Sequence, residues 1–276
     1  MSQPLTTTEC LLDQCRRYPA LEPEDLIKAL HQSVYGCGHL VGAAEEGIGR
    51  IQEEMDRVRE NADGIEPLAG AYCRLPLAWA RKLGMKAETV FALFAYSART
   101  PSGTAEELEA ALSDMEALAR AGRLPWTEAA VEQAVQAYRQ AGCPLCRHTP
   151  AFHQAYEPAY RVIRREYAWL LPLLAAIDQK RDGTKRCLMA LEGGSASGKT
   201  TLAALLQDLY GCSVFHMDDF FLRPEQRTPE RYAQPGGNVD RERFWQEVLE
   251  PLRQGAQSIA YRRYDCRTGR LLEPVE

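Results

Sequence analysis

The sequence predicts an α + α/β protein. An all-helical domain covers residues 1–182, and a C-terminally incomplete α/β domain built on a parallel sheet covers residues 183–276. Helix start and stop signals recur through the first part, without the alternation of apolar and polar residues that marks a half-buried strand. A polar, glycine-containing segment at 180–185 then separates the two parts. Beyond it, an apolar run of strand length leads into a glycine-rich loop and a helix.

Composition and charge restrict the classes of protein that fit. The chain is 45% hydrophobic and 26% charged, as in ordinary globular proteins. No apolar run approaches the roughly 18 residues of a membrane helix, and residues 1–4 lack the features of a signal peptide. The nine cysteines are scattered and odd in number, so we expect reduced thiols and a cytoplasmic location without membrane contact. Residues 185–276 hold thirteen basic and thirteen acidic residues, a balance that argues against nucleic-acid binding.

Capping signals divide the first 182 residues into helices. Thr6 and Thr104 each precede a glutamate three residues later, the capping-box pattern in which side chain and backbone satisfy each other. Pro23 suits a first helical turn, and Gly36 and Gly84 follow apolar-periodic segments where helices commonly end. These signals predict a helix from Thr6 and others at about 23–36, 39–59, 76–99 with a break near Gly84, 104–121, 127–140 and 158–180.

One segment of the helical part has the residue types of a metal site. Cys143 and Cys146 form a C-x-x-C pair, and His148 and His153 follow within seven residues of the second cysteine. Zinc is bound by such thiolates and imidazoles, usually four at a time. Both histidines would have to fold back onto the pair within one short loop.

The same segment allows two other interpretations. His148 can be joined by Tyr156, Tyr160 and Arg161 as the polar wall of a pocket. Alternatively, these residues are the aromatic-rich start of the last helix and only pack. The sequence leaves these readings open, and it does not show whether the segment binds metal.

The glycine-rich loop at residues 193–200 carries the strongest functional signal. Its sequence, Gly-Gly-Ser-Ala-Ser-Gly-Lys-Thr, fits the pattern G-x-x-x-x-G-K-[ST], whose backbone N–H groups enclose phosphate oxygens. A predicted strand at 187–191 precedes it, and a helix that Gly211 can end follows it. Lys199 can reach the β- and γ-phosphates of ATP, and the Thr200 hydroxyl can ligate Mg²⁺. The expected ATP-binding residues are Gly193, Gly194, Ser195, Ala196, Ser197, Gly198, Lys199, Thr200 and Thr201.

Two adjacent carboxylates follow a second predicted strand at residues 212–216. Asp218 and Asp219 would lie at the carboxyl end of this strand, where open α/β sheets bind their ligands. Near a triphosphate, such a pair can supply a base for a hydroxyl and a partner for Mg²⁺. A solvated turn is the alternative interpretation of the pair.

Further motifs after the loop resemble those of a known family. Residues 218–221, Asp-Asp-Phe-Phe, match a D-x-F-[FY] element, and residues 238–240, Asn-Val-Asp, followed by Phe244, match an N-[FV]-D…F element. Tyr264 and Asp265 match a Y-D pair. In this order the motifs resemble the family of uridine kinases, phosphoribulokinases and pantothenate kinases. The resemblance covers residues 186–276, a third of the chain.

The resemblance implies a role for each matched residue. Asp218 would accept the proton of the acceptor hydroxyl. From its position beside Asp218, Asp219 is expected to reach either the Mg²⁺ shell or only solvent, and the loop chemistry assigns Lys199 and the loop amides to the charge that develops on the phosphoryl group. The substrate would be held by Asp240, Tyr264 and Asp265. The expected activity is that of an ATP-dependent kinase acting on a small-molecule hydroxyl. The alternative is a nucleotide-binding regulatory protein whose incomplete kinase domain only senses ATP.

The sequence departs from the family pattern in two places. Uridine kinases carry a histidine after the Y-D pair, whereas residues 266–270 are Cys-Arg-Thr-Gly-Arg. The family continues with a core strand bearing a Walker B-like acidic residue and with an arginine-rich lid, and the sequence stops at Glu276 before either. We therefore expect either a truncated product or a partner, a second copy or another protein, that completes the sheet.

Overall fold

The computed structural model describes residues 4–37, 41–59, 62–99, 103–183 and 186–276. By their internal contacts, residues 1–211 form a first compact unit and residues 212–276 a second. The predicted domain boundary after residue 182 lies inside the first unit. The reason is that the helix following the glycine-rich loop buries Leu205, Leu206 and Leu209 in the core of the first unit. Part of the predicted linker, Thr184 and Lys185, lies outside the described residues.

Helices make up most of the first unit. The predicted capping boxes at Thr6 and Thr104 are both formed, and Gly36 and Gly84 end helices as predicted. The predicted start of the third helix, at His39, lies outside the described residues. The helices are α1 (Thr7–Arg17), α2 (Pro23–Tyr35), α3 (Ala44–Arg57), α4 (Leu77–Leu83), α5 (Ala87–Ala98), α6 (Ala105–Arg120), α7 (Glu128–Gln140), α8 (Pro150–Tyr156), α9 (Leu171–Arg181) and α10 (Lys199–Tyr210).

The prediction of an all-helical first domain is wrong, because this region contains a three-stranded antiparallel sheet. Its strands are β1 (Glu66–Pro67), β2 (Tyr72–Pro76) and β3 (Tyr160–Arg164), in the order β1-β2-β3. Strand β2 pairs with β3 from Tyr72 opposite Arg164 to Pro76 opposite Tyr160. The first four residues of β2 are buried, so the strand shows no alternation of apolar and polar residues that a sequence pattern could detect.

The predicted helix at 158–180 is also wrong in its first half. Strand β3 and a 3₁₀ segment at Arg165–Leu170 occupy that half, and only Leu171–Arg181 is α-helical. The β-branched pair Val162 and Ile163 favours a strand, and both residues are buried there. Long-range pairing with β2 therefore outweighs the helical pattern that the sequence suggested.

The second unit consists of short elements around a hairpin. They are α11 (Pro229–Tyr232), α12 (Arg241–Phe244), a π-helical turn (Trp245–Leu249), α13 (Glu250–Arg253), and the antiparallel strands β4 (Tyr261–Asp265) and β5 (Arg270–Val275). Two 3₁₀ turns, Met217–Phe220 and Pro224–Gln226, precede them.

The two predicted parallel strands, residues 187–191 and 212–216, are not paired into a sheet. A strand is stabilised by hydrogen bonds to a neighbour, and in the part of the chain that is described both sheets are antiparallel. The architecture is therefore mixed α and β, with mostly helical content and two small antiparallel sheets. Within the same residues, no helix is long and apolar enough to cross a membrane.

Candidate functional site

The glycine-rich loop leads directly into a helix, as predicted, but the strand predicted before it at residues 187–191 is not formed. Gly198 is left-handed with φ +88° and immediately precedes α10, which begins at Lys199 and ends before Gly211 as predicted. Ala196 is also left-handed, with φ +58°, an uncommon conformation for a residue that carries a Cβ atom. A helix of 12 residues thus points its N-terminal N–H groups at the loop. This arrangement attracts anions.

The side chain of Lys199 folds back over this loop. Its Nζ atom donates hydrogen bonds to the carbonyl oxygens of Gly193 at 2.8 Å and Gly194 at 2.7 Å. Among the described residues no carboxylate pairs with Lys199, and the loop is exposed from Gly193 to Gly198. The ammonium charge is therefore held in place beside the loop and is open to an anionic ligand. The Thr200 side chain, at the same helix end, is exposed as well.

Asp218 and Asp219 lie in a 3₁₀ turn of the second unit, not at the end of a strand. The carboxylate of Asp219 accepts a hydrogen bond from the Tyr261 hydroxyl at 3.3 Å. Asp218 is exposed, and within the described part of the chain its carboxylate has no partner. Successive residues of a 3₁₀ turn point in directions about 120° apart, which explains why the two carboxylates have different surroundings.

Asp240 is buried, and its carboxylate already makes hydrogen bonds within the protein. It caps α12 by accepting a hydrogen bond from the backbone N–H of Arg243 at 3.2 Å, and it pairs with the Arg243 Nε atom at 3.3 Å. The side chain is only 2% exposed. The structure thus gives this residue a capping and charge-pairing role, besides the substrate role implied by the resemblance.

Arg243 is the residue of this region that sequence reasoning missed. Its guanidinium lies 4.5 Å from the centre of the Phe220 ring and donates to the carbonyl oxygen of Asp219 at 3.0 Å and to that of Arg262. It therefore joins the 3₁₀ turn, α12 and β4. The only local signal was its spacing of three residues from Asp240, which suits a capping ion pair.

Tyr264 and Asp265 are held by contacts within the hairpin region. The Tyr264 hydroxyl accepts a hydrogen bond from Arg227 at 2.7 Å. Asp265 closes the β4–β5 turn by accepting from the backbone N–H of Arg267 at 2.8 Å and from the Thr268 hydroxyl at 2.9 Å. These hydrogen bonds, the Arg267 amide first, lower the pKa of Asp265. The structure brings Asp219, Asp240 and Tyr264 into one unit, together with Asp265, and each makes an internal contact.

His148, the last residue of the segment at 143–148, is part of a polar wall. Both ring nitrogens of His148 are engaged, Nδ1 by Asp25 at 2.8 Å and Nε2 by the Tyr160 hydroxyl at 2.6 Å. Over the ranges that the structure describes, no three histidine, cysteine or acidic side chains group as metal ligands. His148, Tyr160 and Arg161 instead line a cavity of the first unit.

Tyr156, the fourth residue of the suggested pocket wall, lies elsewhere. Its hydroxyl accepts a hydrogen bond from the Ala20 backbone N–H at 2.8 Å, and its ring packs against Tyr18 and Phe152. The polar wall is therefore formed by three of the four residues that the sequence suggested.

Comparisons of the chain with protein-family models, with curated protein sequences and with solved structures gave no match. The functional argument therefore rests on the geometry of the loop and of the residues around it.

Proposed function

We propose that this protein is an ATP-dependent kinase that transfers the γ-phosphoryl group to a hydroxyl of a small molecule, such as a nucleoside or another polyol. The loop at 193–200 is the observation that carries the proposal. Its left-handed residues, the N-terminus of α10 and the Lys199 ammonium together provide backbone donors and positive charge for phosphates.

Each role in the reaction falls to a named group. The two carbonyl contacts of Lys199 would be exchanged for contacts with phosphate oxygens, because a charge-assisted hydrogen bond to phosphate is stronger than one to a neutral carbonyl. The Thr200 hydroxyl would ligate Mg²⁺, and Asp219 would contribute to its outer shell. Asp218, whose carboxylate is exposed, would face the acceptor hydroxyl and take its proton as the bond to phosphorus forms.

The proposal includes the parallel sheet of a P-loop kinase domain, with residues 187–191 and 212–216 as strands. Leu188 is 71% exposed and Met189 is 44% exposed, so the first of these runs presents apolar side chains that sheet formation would cover. Amide hydrogen exchange with and without ATP·Mg tests this part. We expect slower exchange at 187–191 with nucleotide, whereas unchanged exchange there would remove the sheet from the proposal.

A second candidate function is a nucleotide-binding regulatory protein that senses ATP without phosphorylating a small molecule. One observation favours it. Asp240, Tyr264 and Asp265, the residues implied to bind substrate, all make hydrogen bonds within their own unit. A substrate hydroxyl would have to compete with these contacts.

Measurement of ADP release over a panel of nucleosides, sugars and vitamins separates the two functions. A kinase releases ADP in stoichiometric amounts with one acceptor, whereas a sensor binds ATP without acceptor-dependent release. Asp218→Asn should reduce turnover about 100- to 10,000-fold with unchanged ATP affinity, the usual effect of losing a general base. Asp219→Asn is the matched control and should chiefly raise the Mg²⁺ requirement. The opposite pattern would show that Asp219 is the base.

A further inference from the structure

A cavity of about 550 Å³ lies in the first unit, apart from the glycine-rich loop. Residues of α2, α3, α5, β3 and the segment 145–148 line it. Its volume falls in the range of about 300 to 1,000 Å³ that is usual for small-molecule sites. Its lining combines polar and apolar side chains, so the chemistry of a ligand can be inferred from what faces the cavity.

The charges around the cavity are predominantly positive. Lys28, Arg50, Arg147 and Arg161 line it, against one lining carboxylate, Glu54. The charge of Glu54 is already paired, because its carboxylate accepts two hydrogen bonds from Arg161, at 2.8 and 2.9 Å. Arg50 lies 3.6 Å from a second carboxylate, Glu46, outside the lining. Within the described ranges, Lys28 and Arg147 have no carboxylate partner.

Lys28 is the most informative of these cations because, unlike the partly buried Arg161, it makes no ion pair with a carboxylate among the described residues. Its Nζ atom donates to the backbone carbonyl oxygen of Cys146 at 2.9 Å. Burial lowers the pKa of Lys28, which means that the charged form is held in an unfavourable environment. The charge of the nearby Asp25 carboxylate offsets part of this effect, and an anionic ligand would add an opposite charge at the cavity itself.

Hydrogen bonds fix the polar wall beside Lys28. The Gln32 amide donates to the Tyr160 hydroxyl at 3.1 Å, and that hydroxyl contacts His148 at 2.6 Å. His148 is in turn held by Asp25. A wall already fixed in this way loses little conformational entropy when a ligand binds.

Another part of the lining is apolar. Ile51, Phe91, Phe94 and Val162 contribute to it. Gly47 of α3 faces the Phe91 ring so closely that an added Cβ atom would lie 2.3 Å from a ring carbon. Glycine at this position therefore lets the aromatic ring occupy its place beside the cavity.

We propose that this cavity binds a small organic anion, with a carboxylate or phosphate group on an aromatic or branched apolar body. The anionic group contacts Lys28, with Arg147 nearby along the rim, and the apolar body packs against Phe91 and Phe94. This site is independent of the nucleotide site and of the proposed kinase activity.

Calorimetric titration with phenyl phosphate, benzoate and neutral benzyl alcohol tests the proposal. All proteins in the test carry Lys199→Ala, which weakens phosphate binding at the glycine-rich loop equally in every variant. We expect both anions to bind more tightly than benzyl alcohol, and the better anion identifies the ligand group. In the Lys28→Met variant the affinity for that anion should fall about tenfold or more, because this is the usual effect on affinity of losing one hydrogen bond to a charged group. Lys28→Arg should keep most of it.

Lys82→Met is the matched control, because Lys82 is exposed and paired with Asp63 at 2.6 Å away from this lining. It should leave the affinity unchanged. Imidazole NMR signals of His148 should shift on binding, whereas those of His31, which contacts Tyr138 outside the lining, should not. Three results would overturn the proposal: equal binding of benzyl alcohol, no effect of Lys28→Met, or no binding of either anion. The last is judged at about 10 mM, a concentration that reveals millimolar affinity.

Discussion

The buried ion pair between Arg74 and Glu66 provides a sharp test of the energetics of the first unit. Their side chains are only 1% and 6% exposed, and Nη1 of Arg74 lies 2.7 Å from Oε1 of Glu66. Glu66 also accepts hydrogen bonds from Gln14 at 2.8 Å and from the Tyr18 hydroxyl at 2.7 Å. Arg74→Met would remove the positive charge and keep an apolar side chain of similar length. Glu66 would then be a buried carboxylate with only neutral donors.

Breaking a buried pair from one side typically costs about 3 to 5 kcal/mol of unfolding free energy, because an uncompensated charge remains. In the wild type, burial raises the pKa of Glu66, but the Arg74 charge and the hydrogen bonds outweigh it and leave the pKa lowered. This group therefore stabilises the fold above its unfolded pKa, and the stabilisation is lost as the pH falls through the folded pKa. Without Arg74, burial should raise the pKa above the unfolded value. The destabilisation should then be larger at pH 7 than at pH 5.

Urea unfolding of the wild type and the variant at both pH values measures the effect. The double variant Arg74→Met/Glu66→Gln should recover part of the loss, because no charge is left buried. Arg57→Met is the control, since Arg57 pairs with Glu53 at 3.0 Å on an exposed surface, and such pairs contribute less than about 1 kcal/mol. A loss for Arg74→Met as small as that of the control, or one independent of pH, would refute this reasoning.

Three further predictions concern the residues singled out by the sequence. Lys199→Ala should abolish tight ATP binding in calorimetric titration, and it should leave the unfolding midpoint unchanged because Lys199 lies beside an exposed loop and not in the core; wild-type affinity would exclude the loop as the nucleotide site. Metal analysis should find less than one equivalent of zinc, whereas a full equivalent lost on Cys143→Ser or Cys146→Ser would establish a metal site there. Asp240→Asn should lower the unfolding free energy by about 1 to 3 kcal/mol, because it weakens a buried charge pair with Arg243, and an unchanged urea midpoint would contradict this.

Local signals explain the parts of the fold that could be predicted. A capping box needs only residues within one helical turn, so Thr6 and Thr104 identified their helices correctly. Gly198 is explained locally as well, because the residue directly before this helix is left-handed, a conformation that glycine adopts readily. The helix after the glycine-rich loop was therefore predicted in its correct place, whereas the strand predicted before the loop was not.

Long-range packing explains the parts that could not be predicted. Strand β2 carries Arg74, a charged residue that the sequence suggests for a surface. It is buried because Glu66 of the neighbouring strand and Gln14, 60 residues away in the chain, both contact it. Arg243 gathers its contacts from three elements in the same way. The contacts of Arg74 and of Arg243 could not be predicted from the spacing of residues along the chain. The polar wall of the cavity was suggested as one reading of several, and only the fold shows that Asp25 completes it.

The protonation of His148 gives a last prediction. Asp25 can only accept when ionised, so the hydrogen bond at 2.8 Å places the proton of a neutral imidazole on Nδ1, and Nε2 accepts from the Tyr160 hydroxyl. Burial lowers the pKa of His148 to about 4, in spite of the Asp25 hydrogen bond. The stability that this group contributes is thus present above its unfolded pKa of about 6.5 and is lost as the pH falls through about 4, a difference of roughly 3 kcal/mol. Imidazole ¹⁵N shifts, assigned with His148→Gln, should show the Nδ1–H form down to about pH 5. A midpoint near 6.5 would show that the imidazole is solvated and that the wall beside Lys28 is not fixed.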